Sequence, residues 1–383
     1  MQGIDFQPRT RLVFGRGCVT RLGELARELN ATRALIVSDA GVVAAGHFQR
    51  GEASLRQAGL EVHAFHGVRE NPSTDDVEAG LAVAREFRPE LLVGLGGGSS
   101  MDCAKGINFL YSCGGKMEDY WGVGKATAEM LPMIAVPTTA GTGSEAQSFA
   151  LISQAGTHIK MACGDPRAAC RIALLDPELT ITQPASVTAL TGIDAISHAL
   201  ESYVTRKRNP LSLCYSREAW QLLSEGFPRV LDDPQDIDAR AQVQLGAFFA
   251  GLAIETSMLG AAHALANPLT SRFHMSHGQA VGLMLPHVIR FNGTQTAKWY
   301  AQLYSDIPDA RPLSDPAQAV AALAEFVTTL MTKAKLATQL RACNVVTDQI
   351  DDLAAEATKQ WTASFNPRPL TQPDFATLYR AAY

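Results

Sequence analysis

Leu91-Leu-Val-Gly-Leu95 runs directly into Gly96-Gly97-Gly98-Ser99-Ser100-Met101-Asp102 and then into Cys103-Ala-Lys-Gly-Ile-Asn-Phe-Leu110. In order, these are a short unbroken apolar run, a glycine loop and a helix-like stretch. An apolar run without polar alternation, bounded by glycine, is the pattern of a buried parallel strand, and the following stretch supplies its helix. A glycine loop at that junction lets backbone N–H groups approach a phosphate, while the helix N-terminus adds positive potential. The strict G-x-G-x-x-G fingerprint is not met, because Gly94-x-Gly96-x-x ends on Ser99 and the loop does not follow the first strand.

Outward from this junction the same texture continues. Ala34-Leu-Ile-Val-Ser38, Leu60-Glu-Val-His-Ala-Phe65, Met133-Ile-Ala-Val136 and Ile172-Ala-Leu-Leu175 are further short apolar runs separated by amphipathic stretches. They predict parallel strands with crossover helices. Beyond about residue 184 the segments Ser186–Thr205, Leu211–Phe227, Ala239–Ala266 and Pro316–Ala337 instead carry apolar residues at helical spacing. The expected organisation is an α/β dinucleotide-binding domain over 1–182 and an all-helical domain over 183–383, with the change of regime at prolines 177 and 184.

A chain of 383 residues suits two domains at roughly 100–200 residues each. A net charge of −5 and the lack of a long basic stripe argue against a nucleic-acid partner. Arg206-Lys207-Arg208, the one basic cluster, reads as a solvated helix end. No apolar run reaches the length that spans a bilayer, and Met1–Thr10 lacks a basic segment followed by an apolar one. No membrane association and a cytoplasmic location are therefore expected. Seven cysteines without a C-x-x-C pair argue against a disulfide framework and a thiolate zinc site, and predict reduced, mostly buried thiols.

Two features favour NAD as the bound dinucleotide. Asp39, directly after the run Ala34–Ser38, is placed to accept hydrogen bonds from an adenosine ribose and to repel a 2′-phosphate. Pro137-Thr138-Thr139-Ala140-Gly141-Thr142-Gly143-Ser144-Glu145 is a loop of hydroxyls and glycines able to donate to phosphate, ribose or carboxamide oxygens; an ordinary Ser/Thr turn is the competing reading. The helical half carries a different chemistry. Asp194 and His198 stand at i, i+4 on one helix face, and His263 and His277 follow. One carboxylate and three imidazoles suit Fe²⁺ or Zn²⁺ and are too nitrogen-rich for Mg²⁺ or Ca²⁺. His274, placed one turn before His277, and His287, placed after a helix ending at Pro286, are alternates expected to be structural or to support the ligands.

With these motifs in view, the sequence resembles the iron-containing (group III) alcohol dehydrogenases over essentially its whole length. The resemblance rests on G-G-G-S-S-M-D at 96–102, P-T-T-A-G-T-G-S-E at 137–145, G-I-D-A-I-S-H-A-L-E at 192–201, H-A-L-A-N-P at 263–268 and H-G-Q-A-V-G-L-M-L-P-H at 277–287. It implies the dehydroquinate synthase-like architecture of an α/β nucleotide domain followed by a helical domain. It implies Asp194, His198, His263 and His277 as ligands to Fe²⁺, with Zn²⁺ as the alternative ion. It places NAD on Asp39, Gly97, Gly98, Ser99, Asp102, Thr138, Thr139, Thr142 and Lys160.

The implied reaction is reversible hydride transfer between nicotinamide and a small alcohol or aldehyde, in a homodimer or higher homo-oligomer. Two relatives of this architecture are the rival readings: a metal-free reductase resembling maleylacetate reductase, and a metal- and NAD-dependent lyase resembling dehydroquinate synthase. The complete ligand set argues against the first, and the form of that ligand pattern argues against the second. One departure stands out: many members carry histidine four residues after the third ligand, and this chain has Asn267. Asparagine can orient substrate or water through hydrogen bonds but cannot serve as an acid or base near neutral pH. The competing reading makes Asn267 a helix-ending residue before Pro268.

Overall fold

The structure is a computed structural model that describes residues 6–157 and 159–383. The chain divides into two units: Met1–Thr139 with Ser144–Thr182, and Ala140–Gly143 with Gln183–Tyr383. The first runs β1 (Arg11–Phe14), α1 (Leu22–Glu28), β2 (Arg33–Val37), α2 (Ala40–Ala44), α3 (His47–Gln57), β3 (Glu61–Phe65), α4 (Thr74–Phe87), β4 (Leu91–Gly96), α5 (Gly98–Cys113), β5 (Gly122–Val123), β6 (Met133–Pro137), β7 (Phe149–Ser153), β8 (Lys160–Gly164) and β9 (Ile172–Leu175).

A six-stranded, wholly parallel sheet has the order β1-β9-β6-β4-β2-β3. Strand alternation divides two cores across it. Leu35, Val37 and Leu92 pack with Val77, Leu81 and Ile107 of α4 and α5, whereas Ala34, Ile36, Leu91, Val93 and Leu95 pack with Leu22, Leu25, Phe48 and Leu55 of α1 and α3. The chain leaves β2 toward β3 on one side and returns to β4 on the other, so the order reverses between β2 and β4. In open α/β sheets, ligands bind beyond the carboxyl ends of the strands at such a reversal. This explains why the glycine loop lies so far along the chain: it follows the strand across the switch point, not the first one.

Two features differ from the sequence reading of this half. The edge strand β1 has a half-exposed pattern that no apolar run announces. β5, β8 and β7 form a separate three-stranded sheet with β7 and β8 antiparallel; β7 alternates between buried and open positions, so it lacks the apolar run that marks the central strands.

The second unit is helical: α6 (Ala185–Val204), α7 (Pro210–Asp232), α8 (Ile237–Thr256), α9 (Ala261–Phe273), α10 (His277–Ser305), α11 (Pro316–Lys333), α12 (Ile350–Ala357) and α13 (Gln372–Ala381). Local chemistry sets several starts. The Asn209 side chain accepts from the Leu211 and Ser212 N–H groups with Pro210 in the first turn, and Asp315 caps α11 ahead of Pro316. Ile193, Ile196, Leu200, Trp220, Leu223, Phe227, Leu265, Leu283, Val288 and Tyr379 belong to one continuous core.

The stretch Ala239–Ala266, expected as one helix, is broken. Ser257 leaves helical geometry, α8 and α9 meet at 103°, and α9 starts afresh after Gly260. Among the described residues no single helix is long and apolar enough to cross a membrane, and only this bent pair combines the length and the apolar composition. α9 continues through Pro268 to Phe273, and α10 through Pro286 to Ser305 with a kink at Thr296. Neither proline ends its helix, so Asn267 does not terminate α9 and His287 sits within α10.

Candidate metal centre and dinucleotide site

In the first unit the candidate cofactor residues gather at the carboxyl end of the sheet. Ser38 donates to the Leu95 carbonyl at 2.7 Å, joining the ends of β2 and β4. Asp39 caps α2 by accepting from the Val42 N–H at 3.0 Å, and its other oxygen accepts from Ser100 Oγ at 3.0 Å. Gly96 has φ +153°, and a Cβ there would fall 2.4 Å from Ser100 Oγ, so glycine is needed for this turn. Gly97 is the N-cap of α5, whose first turn carries no acidic side chain, leaving the positive helix end available to an anion.

The Thr138 N–H donates to the Gly96 carbonyl at 2.9 Å, and Thr139 lies against Gly97. Ser99 Oγ accepts from the Asn71 N–H at 3.2 Å, and Lys160, exposed on β8, reaches Asn71 Oδ1 at 3.4 Å, which brings Lys160 to the same loop. Asp102 is buried and accepts from Ser144 Oγ at 2.5 Å. Thr142, by contrast, lies in the short segment grouped with the second unit.

Behind these loops is Lys105, which the sequence reading left unassigned. It is wholly buried, and its Nζ donates to the Ser144 carbonyl and hydroxyl and to the Gln147 and Phe149 carbonyls at 2.6–2.9 Å. It thereby fixes the end of the Pro137–Glu145 loop to α5. Glu145 is also buried, and burial first of all, with Asp102 adding to it, pushes its carboxyl up to about 7 against the lowering influence of a backbone hydrogen bond and Lys105.

In the second unit Asp194 and His198 project from one face of α6, His263 from the first turn of α9 and His277 from the first residue of α10. The three imidazole Nε2 atoms surround a single carboxylate oxygen: His198, His263 and His277 lie 3.4, 3.7 and 3.7 Å from Asp194 Oδ1. Ligand atoms held about 2.1 Å from one ion stand about 3.4 Å apart at tetrahedral angles, so these separations suit a shared metal. The potential donor atoms of Asp194, His263 and His277 all lie within 4.8 Å of one another. His198 joins through Asp194, and its ring stacks on His263 at 5.0 Å.

Asp194 Oδ1 and His263 Nε2 are buried and have no hydrogen-bond partner among the described residues. A buried polar atom left unpaired costs about 1–3 kcal/mol, which an ion at this point would offset. Burial raises the Asp194 carboxyl, but the imidazoles of His198, His263 and His277 gathered around it outweigh that and hold the group well below the ordinary carboxylate range. The His277 side chain remains 31% exposed, against 7% or less for the other three, and marks the open side of the cluster.

The sequence reading passed over Glu201, although it follows Asp194 and His198 on the same helix. Its Oε2 lies 2.5 Å from His263 Nδ1 and its Oε1 accepts from the Ala262 N–H at 2.7 Å. The signal was the spacing 194, 198 and 201, which aligns three side chains along one face of a helix. The two alternates stay apart from the cluster defined by the ligand atoms. His274 is the left-handed C-cap of α9, outside the turn expected for it, and burial followed by Arg290 lowers His287 to about 4. Asn267, half-buried, donates from Nδ2 to Gln360 Oε1 at 2.9 Å.

Comparison with known proteins gives a consistent result across both units. A family model described as iron-containing alcohol dehydrogenase matches residues 8–177, and one described as the C-terminal part of the Fe-containing alcohol dehydrogenase family matches 188–383. Alcohol dehydrogenase 4 of Schizosaccharomyces pombe is 32% identical over 370 residues, covering 97% of this chain and 87% of its own. The NAD-dependent methanol dehydrogenase of Bacillus methanolicus is 31% identical, covering 97% of each. The crystal structure of a 1,3-propanediol oxidoreductase superposes with a TM-score of 0.96 at 30% identity, covering all of both chains.

Proposed function

The chain belongs to the iron-containing alcohol dehydrogenase family, and from that premise we propose that Asp194, His198, His263 and His277 hold its metal while the loops at Asp39, Gly97–Ser99 and Thr138–Thr139 hold its NAD. It is an oxidoreductase acting on alcohols, with NAD and iron as cofactors, and its reaction is reversible hydride transfer between nicotinamide and a small alcohol or aldehyde. The observation that carries the residue assignment is the unpaired, buried Asp194 Oδ1 facing three imidazole nitrogens. When bound, the ion supplies Lewis-acid polarisation of a substrate oxygen and NAD supplies the hydride acceptor or donor.

The protein's own residues do the rest. Asp194 and the imidazoles provide one negative charge and three neutral donors, a set matched to a first-row divalent ion. The α5 N-terminus receives the pyrophosphate, and Asp39, which has lone pairs left after its two hydrogen bonds, accepts from the ribose hydroxyls. Thr142, Asp102 and Lys160 complete the proposed cofactor contacts. Asn267 orients substrate or water through its amide, held by Gln360, without exchanging a proton.

His263→Ala tests the reading: bound iron and turnover should be lost, while NADH affinity, followed by nicotinamide fluorescence, stays at the wild-type value. Full activity in metal-stripped wild-type protein would point instead to a metal-free reductase. The seven free cysteines support a reducing, cytoplasmic location. Exposed Trp121, Val123, Leu151 and Ile159, in and beside the small sheet, support a homo-oligomer, which light scattering in solution would check.

A further inference from the structure

We infer that Glu201 is a positioning residue for the metal centre: it fixes which nitrogen of His263 carries the proton and, through the same carboxylate, anchors the helix start that delivers His263 to the ion. This rests on the assignment of His263 as a ligand.

The two oxygens of Glu201 perform separable tasks. Oε1 accepts from the Ala262 N–H, one of the unpaired donors in the first turn of α9, and thereby places a negative charge at the positive helix end. Asn366 Oδ1 accepts from the neighbouring Ala261 N–H at 3.3 Å, and Asn366 is itself held by reciprocal hydrogen bonds with Asn292 at 2.7 and 3.0 Å. A Cβ on Gly260 would lie 3.1 Å from both Glu201 Oε1 and Asn366 Oδ1, so the absence of a side chain lets the two acceptors close on the helix start. The start of α9 is therefore anchored by Glu201 and Asn366.

Oε2 faces His263 Nδ1 at 2.5 Å. An ionised carboxylate only accepts, so Nδ1 must carry hydrogen, and in the neutral imidazole Nε2 then holds its lone pair toward Asp194 Oδ1. Nε2 is the nitrogen without a hydrogen-bond partner among the described residues. Glu201 is 4% exposed, so water does not readily replace it in either task.

Glu201→Gln separates the tasks. Its Oε1 can still accept from Ala262, but the amide nitrogen then occupies the position of Oε2 and donates to Nδ1, which pushes hydrogen onto Nε2 and blocks the lone pair. Zn²⁺ affinity, measured by competition with a chromophoric chelator at pH 8, is expected to fall about 10- to 100-fold. NADH affinity and the thermal midpoint of the metal-free protein should stay close to wild type. Independently of any variant, nitrogen-15 histidine spectra of the Zn²⁺-loaded wild-type enzyme should show the His263 proton on Nδ1.

Wild-type Zn²⁺ affinity in Glu201→Gln, or a bare Nδ1 on His263 in the loaded wild type, overturns the role of Glu201 alone. If wild-type protein takes up no Zn²⁺, or His263→Ala retains it fully, the ligand assignment fails as well. The spectra decide the question even if Glu201→Gln does not fold.

Discussion

At the scale of single residues, Asp39 is tied to both structure and selectivity. It caps α2 and accepts from Ser100, yet a carboxylate there repels a ribose 2′-phosphate by about 1–4 kcal/mol if the charges come within 4 Å. Asp39→Gly should raise the NADPH-to-NADH ratio of kcat/KM at least about fivefold; glycine is itself a tolerable N-cap, so the stability cost, about 1–3 kcal/mol, comes from leaving the buried Ser100 hydroxyl without its acceptor. A wild-type enzyme that already prefers NADPH would refute the assignment. Asn267 invites a second change. Asn267→His loses the Gln360 hydrogen bond and adds a group titrating near pH 6–7, so the rate profile should gain a limb there and substrate preference should move more than NAD affinity. Asn267→Ala should weaken turnover with metal content preserved, and unaltered kinetics in both variants would leave Asn267 with a packing role only. Asp194, His198, His263 and His277, which the structure brings together, were visible from motif and spacing, because imidazoles and carboxylates are recognisable as candidate metal ligands. Glu201 was not, since a glutamate inside a helix is ordinarily solvated and only the tertiary approach of α9 shows that this one is buried.

Elements show the same division between what composition announces and what packing decides. The central strands, buried on both faces, advertise themselves as continuous apolar runs. The half-exposed β1 and the small sheet do not, and the break at Ser257–Gly260 lies in an apolar stretch whose spacing gives no warning of it. Lys105 was likewise silent: a lone lysine in a helix reads as surface, yet here it secures the loop from Ser144 to Phe149. That loop carries a pH dependence. Glu145 has an ordinary carboxyl value of 4.5 unfolded and about 7 folded, so the folded state binds the extra proton. The sign follows directly: its stabilising contribution is full below about pH 4.5 and is lost as pH rises through about 7. The loss is on the order of 3 kcal/mol for this fully buried group. Glu145→Gln should therefore match wild type at pH 4.5 and exceed it at pH 8 in urea unfolding of the cofactor-free protein. Parallel pH slopes in the two proteins would show that Glu145 does not titrate in this window.

At the scale of the whole molecule, the proposed cofactor sites are divided between structural units. Most of the proposed NAD residues stand at strand ends of the first unit, and all the proposed metal ligands stand on helices of the second. Those ligands are widely spaced along the chain, at 194, 198, 263 and 277, and belong to three helices. An ion bound to all of them ties α6, α9 and α10 to one point, whereas each alone is held by packing in the shared core. A ligand that binds only the native state adds RT ln(1 + [L]/Kd), about 2.7 kcal/mol at a hundredfold excess over Kd. Because opening of a protein is local as well as global, this stabilisation should be read first in the segments that the ligand joins. Peptide-resolved hydrogen exchange is therefore expected to show Fe²⁺ or Zn²⁺ slowing exchange in α6, the first turns of α9 and the start of α10. NAD added alone should slow it at the Asp39 turn and the Gly96–Ser100 loop. His263→Ala should abolish the first pattern and keep the second. Metal that raises the thermal midpoint without slowing exchange in α6, α9 or α10 would mean that it binds elsewhere, and the four-ligand centre would have to be abandoned.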